Sequence, residues 1–219
     1  MIKVVVLDFD DTLVQSEHIK LNGFVDIFSS IKGSEEIAKN YVDRNFGDSR
    51  YEMIEGILNG LKEDKLVDFE VSEEIIKEYV RKFGELVEEK IIKENEIMDA
   101  TAIIEGLSKK YFLYLNSNTP QVSIENIIQQ RGWEVFFKGI FGSPPRTKVD
   151  NLKKIIEQAM VSPQEVVVIG DGDSDQTSAK IVGASFIGIR SDYNNWRIAE
   201  REFTVLDNLA DIPKFISLI

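Results

Sequence analysis

Two apolar, β-branched runs lie far apart in this chain, and each ends in a cluster of acids. Val4, Val5, Val6 and Leu7 lead into Asp8, Phe9, Asp10, Asp11 and Thr12, while Val166, Val167, Val168 and Ile169 lead into Gly170, Asp171, Gly172, Asp173, Ser174 and Asp175. A strand covered on both faces is apolar continuously rather than alternately, so both runs are expected to be buried strands of a parallel sheet. The acids then stand at strand C-terminal ends, the edge where open α/β sheets bind ligands. Carboxylates gathered there repel one another unless a cation or a shared proton intervenes, and a hard divalent metal is the natural partner.

Composition narrows the chemistry. The chain has 219 residues, 43% of them hydrophobic, enough for one sizeable α/β domain carrying an insertion. With 26 basic against 38 acidic residues the net charge is -12, which argues against nucleic acid or an anionic membrane as partner and favours a small molecule. The absence of cysteine removes disulfides and thiolate metal sites, and the single histidine, His18, excludes a His-rich zinc site. No apolar stretch is long enough to span a membrane and the first apolar run is broken by Asp8, so a soluble, cytoplasmic protein is expected.

Strands are predicted at residues 3–9, 111–116, 139–142, 165–170 and 184–189. From Glu17 to about Lys93 the apolar spacing is helical instead: Ile19, Phe24, Ile27 and Phe28, then Ile37 and Tyr41, then Met53, Ile54, Ile57, Leu58 and Leu61, then Ile75, Ile76, Tyr79, Val80, Phe83 and Val87. Turn and cap signals at Gly33–Ser34, Phe46–Ser49 and Val67–Ser72 divide this stretch into about four helices. The expected architecture is an α/β, Rossmann-like parallel sheet built from residues 1–15 and 94–219, with an inserted all-helical domain at 16–93.

The alternating strands and helices supply two further candidates at the same sheet edge. Ser117 and Asn118 close the run Tyr111–Asn116, where a hydroxyl and adjacent N–H groups form an anion-binding turn. Lys148 follows the turn Ser143, Pro144, Pro145 and opens an amphipathic helix through Val149, Leu152, Ile155, Ile156 and Ala159.

These four segments resemble the four motifs of the haloacid dehalogenase superfamily, in its phosphatase and phosphomutase branch. The first, DxDxT, is matched by Asp8, Asp10 and Thr12; the second, Ser or Thr followed by Asn, by Ser117 and Asn118; the third by Lys148; the fourth, GDxxxD, by Gly170, Asp171 and Asp175. Three positions depart from the common pattern: Val149 stands where proline usually follows the lysine, Asp11 where many relatives have glycine, and Gln15 where many have aspartate. The resemblance implies that Asp8 attacks phosphorus to give an aspartyl-phosphate, and that Asp10 protonates the leaving alcohol and then activates water. It implies a Mg²⁺ ion held by Asp8, the Asp10 backbone carbonyl and Asp171, with Ser117, the Asn118 N–H and Lys148 on the transferring oxygens. Asp175 would orient Lys148 or a metal-bound water, and Thr12 would brace the loop.

Blander readings are set beside these. An acid pair ending a strand can be only a helix cap, Ser117 only an N-cap and Lys148 only a solvated lysine. Asp171, Asp173 and Asp175 do not open a calcium-binding EF-hand, because Gln176 stands where that loop needs glycine and Val182 where it needs glutamate. In the helical stretch, Phe46, Gly47, Asp48, Ser49 and Arg50 form the candidate specificity turn, since Arg50 can fork onto a carboxylate or phosphate. The alternative there is a plain helix start capped by Ser49 or Asp48. The resulting expectation is a Mg²⁺-dependent phosphatase of a small phosphorylated metabolite. A phosphomutase of the same family is the nearest alternative, and a non-catalytic phospholigand-binding module the more distant one.

Overall fold

In the computed structural model the described residues are 1–45, 49–194, 196 and 203–218. Contacts divide the chain into two compact units, Met1–Gln15 with Glu94–Ile219, and Ser16–Lys93.

The first unit, which also holds helices α5 (Ala100–Ser108) and α6 (Gln121–Gln130), is built on a parallel sheet of β1 (Val4–Leu7), β2 (Phe112–Asn116), β3 (Gly139–Phe141), β4 (Val166–Gly170), β5 (Ser185–Ile189) and β6 (Thr204–Leu206), in the spatial order β3-β2-β1-β4-β5-β6. The five strands predicted from sequence are all present, each trimmed by a residue or two at its ends. The short sixth, β6, was not predicted. Its three residues carry too little pattern to separate from the loop around them. β1 and β4 are buried along their whole length, the burial that a continuous apolar run demands. One side of the sheet contributes Val4, Val6, Tyr114, Val166 and Val168 to a core closed by Leu152 and Ile155 of helix α7 (Lys148–Ala159) and Ala179 of helix α8 (Asp173–Val182). The alternate residues Val5, Leu7, Leu113, Leu115, Val167 and Ile169 are equally buried.

Strand order reverses at β1: β2 and β3 lie on one side, β4 to β6 on the other. Such a reversal opens a crevice at the strand C-terminal ends. Register decides what stands there. Leu7 is level with Leu115 on one side and Ile169 on the other, so Asp8, Asn116 and Gly170 come next at one height.

The second unit contains α1 (Glu17–Asp26), α2 (Ser34–Arg44), α3 (Arg50–Glu63) and α4 (Glu73–Lys93), each packed on its sequence neighbour and α1 also on α4. Phe24 stacks on Phe83 with ring centroids 4.1 Å apart, and Phe28 on Tyr79 at 4.8 Å. The Met53, Ile54, Ile57, Leu58, Leu61 stripe of α3 is buried. Ser49 caps α3: its side chain accepts from the Glu52 N–H at 3.3 Å, and its own N–H donates to the Glu52 carboxylate at 2.9 Å. Among the described residues no helix is long and apolar enough to cross a membrane.

Candidate active site

The chain leaves β1 by turning sharply. The N–H groups of Leu13 and Val14 both donate to the carbonyl of Phe9, at 2.8 and 3.3 Å, and the Asp11 N–H donates to the Val14 carbonyl at 2.8 Å. Asp11 sits at φ 49, the left-handed region that costs a non-glycine residue strain. That conformation explains why glycine suits this position and why aspartate, which tolerates it better than most residues, can replace it. The turn places Asp8 and Asp10 at the sheet edge. Thr12 reaches across to the end of β4, where its hydroxyl accepts from the Asp171 N–H at 3.1 Å and lies 3.4 Å from the Asp171 carboxylate. Thr12 thus ties the loop after β1 to the end of β4.

Lys148 occupies the centre. Its Nζ donates to Asp8 Oδ1 and to Asp175 Oδ1, both at 2.8 Å, and the three side chains are 5%, 6% and 2% exposed. Burial disfavours its charge, but Asp175 and Asp8 outweigh that and hold it above the ordinary lysine range. The lysine is fixed through its backbone as well. Asn116 donates from Nδ2 to the Lys148 carbonyl at 2.9 Å, and Asn151, one turn along α7, donates to Asn116 Oδ1 at 3.2 Å and to the Gly142 carbonyl at 3.1 Å. Asp175 lies across the end of β4, where a Cβ on Gly170 would come within 2.4 Å of its Cγ. Only glycine leaves room for that carboxylate.

Asp10 faces a different set of partners. Its Oδ2 accepts from Ser117 Oγ at 3.2 Å and from Thr119 Oγ1 at 2.8 Å. The Ser117 hydroxyl, expected from the resemblance to face a phosphoryl oxygen, is directed at Asp10 here. Asn118 donates from its side chain to Ser174 Oγ at 3.2 Å, tying the loop after β2 to the first turn of α8. Thr119, Asn116 and Asn151 were not singled out in the sequence. A polar residue on the apolar face of a helix, as Asn151 is, was the one available signal.

Three carboxylates, Asp8, Asp171 and Asp175, offer oxygens that all lie within 4.8 Å of one another. Burial, with Asp175 next in weight, pushes Asp8 well above the ordinary carboxylate range. Burial likewise raises Asp175 against the pull of Lys148, and raises Asp171 to about 7 against a hydrogen bond from Ser191. One lysine does not balance this negative charge, and the donor set is entirely oxygen. Both facts fit a hard divalent cation. Asp8 and Asp171 were expected as ligands; Asp175 joins them in space while also holding Lys148. The Asp10 carboxylate is engaged with Ser117 and Thr119 through Oδ2.

Arg50 opens α3 in the second unit, with its guanidinium 4.8 Å from the centroid of the Phe83 ring. Phe46, Gly47 and Asp48 of the expected specificity turn lie outside the described residues.

Comparison with known proteins bears on this arrangement. Curated phosphoglycolate phosphatases match part of the chain; that of Vibrio vulnificus is 28% identical over 109 residues, 47% of each chain. The chain spans about half the length of the curated relatives it matches. Among solved structures, a predicted phosphoglycolate phosphatase from Haemophilus somnus superposes with a TM-score of 0.78 at 20% identity, covering 98% of both chains. The hydrolase YfnB from Bacillus subtilis, solved bound to magnesium, superposes with a TM-score of 0.72 at 16% identity, again covering 98% of both. The haloacid dehalogenase-like hydrolase model matches residues 5–189, a span holding Asp8, Asp10, Ser117, Lys148, Asp171 and Asp175, and the chain belongs to that family.

Proposed function

We propose that this chain is a Mg²⁺-dependent phosphatase of small phosphomonoesters that works through an aspartyl-phosphate on Asp8. The observation that carries the reading is the buried Asp8–Lys148–Asp175 array with a second, separately held carboxylate, Asp10, two residues from Asp8. A module that only bound phosphate would gain nothing from burying a nucleophile beside an acid. Asp8 attacks phosphorus while Asp10 gives a proton to the departing oxygen, and Asp10 then takes a proton from the water that hydrolyses the intermediate. Lys148 orients Asp8 and stabilises charge on the transferring oxygens, and Asp175 holds Lys148 in place. Asp8, the Asp10 carbonyl and Asp171 would hold the ion. When bound, Mg²⁺ supplies the positive charge that lets an anionic nucleophile approach an anionic phosphate.

The phosphoglycolate phosphatase relatives and the acidic balance of the chain support a small phosphorylated metabolite, phosphoglycolate or a sugar phosphate, as substrate. We assign the choice among such substrates to Arg50 in the helical unit. The test is phosphate release from a panel of phosphomonoesters, with Mg²⁺ and with excess chelator. Release that requires the metal is expected. Unchanged release in chelator overturns the metal assignment, and transfer of the phosphoryl group to a second sugar position without free phosphate would make the protein a phosphomutase.

A further inference from the structure

We propose that Thr119 is a positioning residue for the acid Asp10, fixing Oδ1 as the oxygen that exchanges the proton with the leaving group. This rests on the phosphatase reading above. Oδ2 of Asp10 accepts from two hydroxyls, Thr119 Oγ1 at 2.8 Å and Ser117 Oγ at 3.2 Å. Two donors on one carboxyl oxygen leave that oxygen a poor site for the proton, so the transferable proton is carried on Oδ1.

Thr119 controls both contacts. Its own N–H donates to Ser117 Oγ at 3.0 Å, which directs the serine proton toward Asp10. One residue therefore places one hydroxyl donor on Oδ2 directly and aims the other. The backbone of Thr119 is itself pinned, because its carbonyl accepts from the Ser143 N–H at 3.1 Å. The loop carrying it presses on β3 so closely that a Cβ on Gly142 would lie 2.6 Å from the Thr119 carbonyl oxygen and 2.5 Å from Gln121 Cα. Thr119 is buried, as are Asp10 and Ser117, so water does not readily replace a lost hydroxyl.

In the first step a carboxylate oxygen of Asp8 forms the bond to phosphorus, and the electron pair of the breaking P–O bond goes to the leaving oxygen. The Oδ1 proton of Asp10 moves to that same oxygen and leaves Asp10 a carboxylate. Hydrogen bonds to a carboxylate are stronger than those to the neutral acid, so the two hydroxyls on Oδ2 favour the proton's departure as charge develops. Their effect is largest where the leaving group most needs a proton.

Leaving-group dependence of kcat/KM tests this, using the full chain with Mg²⁺ and a series of aryl phosphates ending in an alkyl phosphate. Thr119→Val keeps the shape and loses the donor, whereas Thr119→Ser keeps both hydroxyl and backbone contacts. Thr119→Val is expected to lower kcat/KM for the alkyl phosphate roughly 10- to 100-fold and leave p-nitrophenyl phosphate within about threefold, with Thr119→Ser restoring the alkyl rate. Asp10→Asn, run in parallel, separates the two layers of the argument. If Asp10→Asn steepens the dependence and Thr119→Val lowers every substrate equally or none, the positioning role is overturned and the phosphatase reading stands. If Asp10→Asn itself shows no such steepening, Asp10 is not the acid and both fall. Failure of Thr119→Ser to restore the alkyl rate while unfolding at the wild-type temperature also overturns the role.

Discussion

Lysine meets carboxylate in two regions of this protein at nearly the same distance and with opposite meaning. On α4, Lys77 pairs with Glu73 at 2.6 Å and Lys93 with Glu89 at 2.7 Å, one helical turn apart, with every one of these side chains about two-thirds exposed. At the sheet edge Lys148 pairs with Asp8 and Asp175 at 2.8 Å, with all three side chains nearly sealed from water. Water and salt screen the first kind, which contributes close to nothing, and the helical unit is held instead by its aromatic stacks and the α3 stripe. In the second kind desolvation opposes the attraction, so the array is costly to form, and removing its one cation is more costly still. Distance alone does not separate a solvated pair from a functional one. Burial and convergence do.

The hardest way to break the contrast is Asp8→Asn. Turnover should fall by at least roughly 10⁴-fold, because no covalent intermediate forms. Stability should not fall with it. Asp8 has a folded pKa raised above its unfolded value, so its charge at neutral pH opposes folding, and the variant should unfold at a temperature no lower than wild type. A lost Tm together with lost turnover would make Asp8 structural.

Next in size is Lys148→Ala set against Lys77→Ala. Removing Lys148 strands two buried carboxylates, which should cost about 3–5 kcal/mol by denaturant titration and depress every substrate together. Lys77→Ala should leave both the denaturation midpoint and activity where they were. Equal effects from the two variants would erase the distinction.

A pH titration of unfolding without metal sharpens it further. Burial raises Asp171 to about 7, so its contribution is fully present at pH below the ordinary carboxylate range and is lost as pH rises toward 7. The metal-free chain should therefore lose stability across that window, and Mg²⁺ should restore most of it by binding the folded state alone. A flat profile that Mg²⁺ does not move would argue against a cation among these carboxylates.

The smallest effect concerns choice rather than rate. Arg50→Ala should reorder the phosphomonoesters while sparing a generic aryl phosphate; one common factor for all substrates would place specificity elsewhere.

What the sequence showed and what it hid follow from the range of each interaction. The runs Val4–Leu7 and Val166–Ile169 announce buried strands because burial on both faces writes itself into consecutive residues. The helical stretch is legible for the same local reason. The contact between Thr119 and Asp10 joins residues 109 positions apart, and that between Thr12 and Asp171 joins residues 159 apart. No window of sequence contains both partners. Ser117 shows the limit in another way: its position at a strand end was readable, but the direction of its hydroxyl depends on Thr119 behind it and Asp10 in front.

The place of β1 between β2 and β4 also has a consequence for the order of synthesis. β1 leaves the ribosome early, yet its two hydrogen-bonding neighbours lie more than a hundred residues downstream. At ribosomal rates of roughly 5–20 residues per second, the run Val4–Leu7 waits roughly ten to thirty seconds for the β4 strand to appear. Until β2 appears, about two-thirds of the way through that interval, a short, uncharged, strongly β-forming segment has no sheet partner. The helical unit Ser16–Lys93 is translated in full during the same wait. The strand that ends at Asp8 is thus the earliest made and, among the described strands, the one that waits longest after its own synthesis to be paired on both sides. A nascent chain stalled before residue 166 holds β1 half-paired and its acids without their lysine-bound partner.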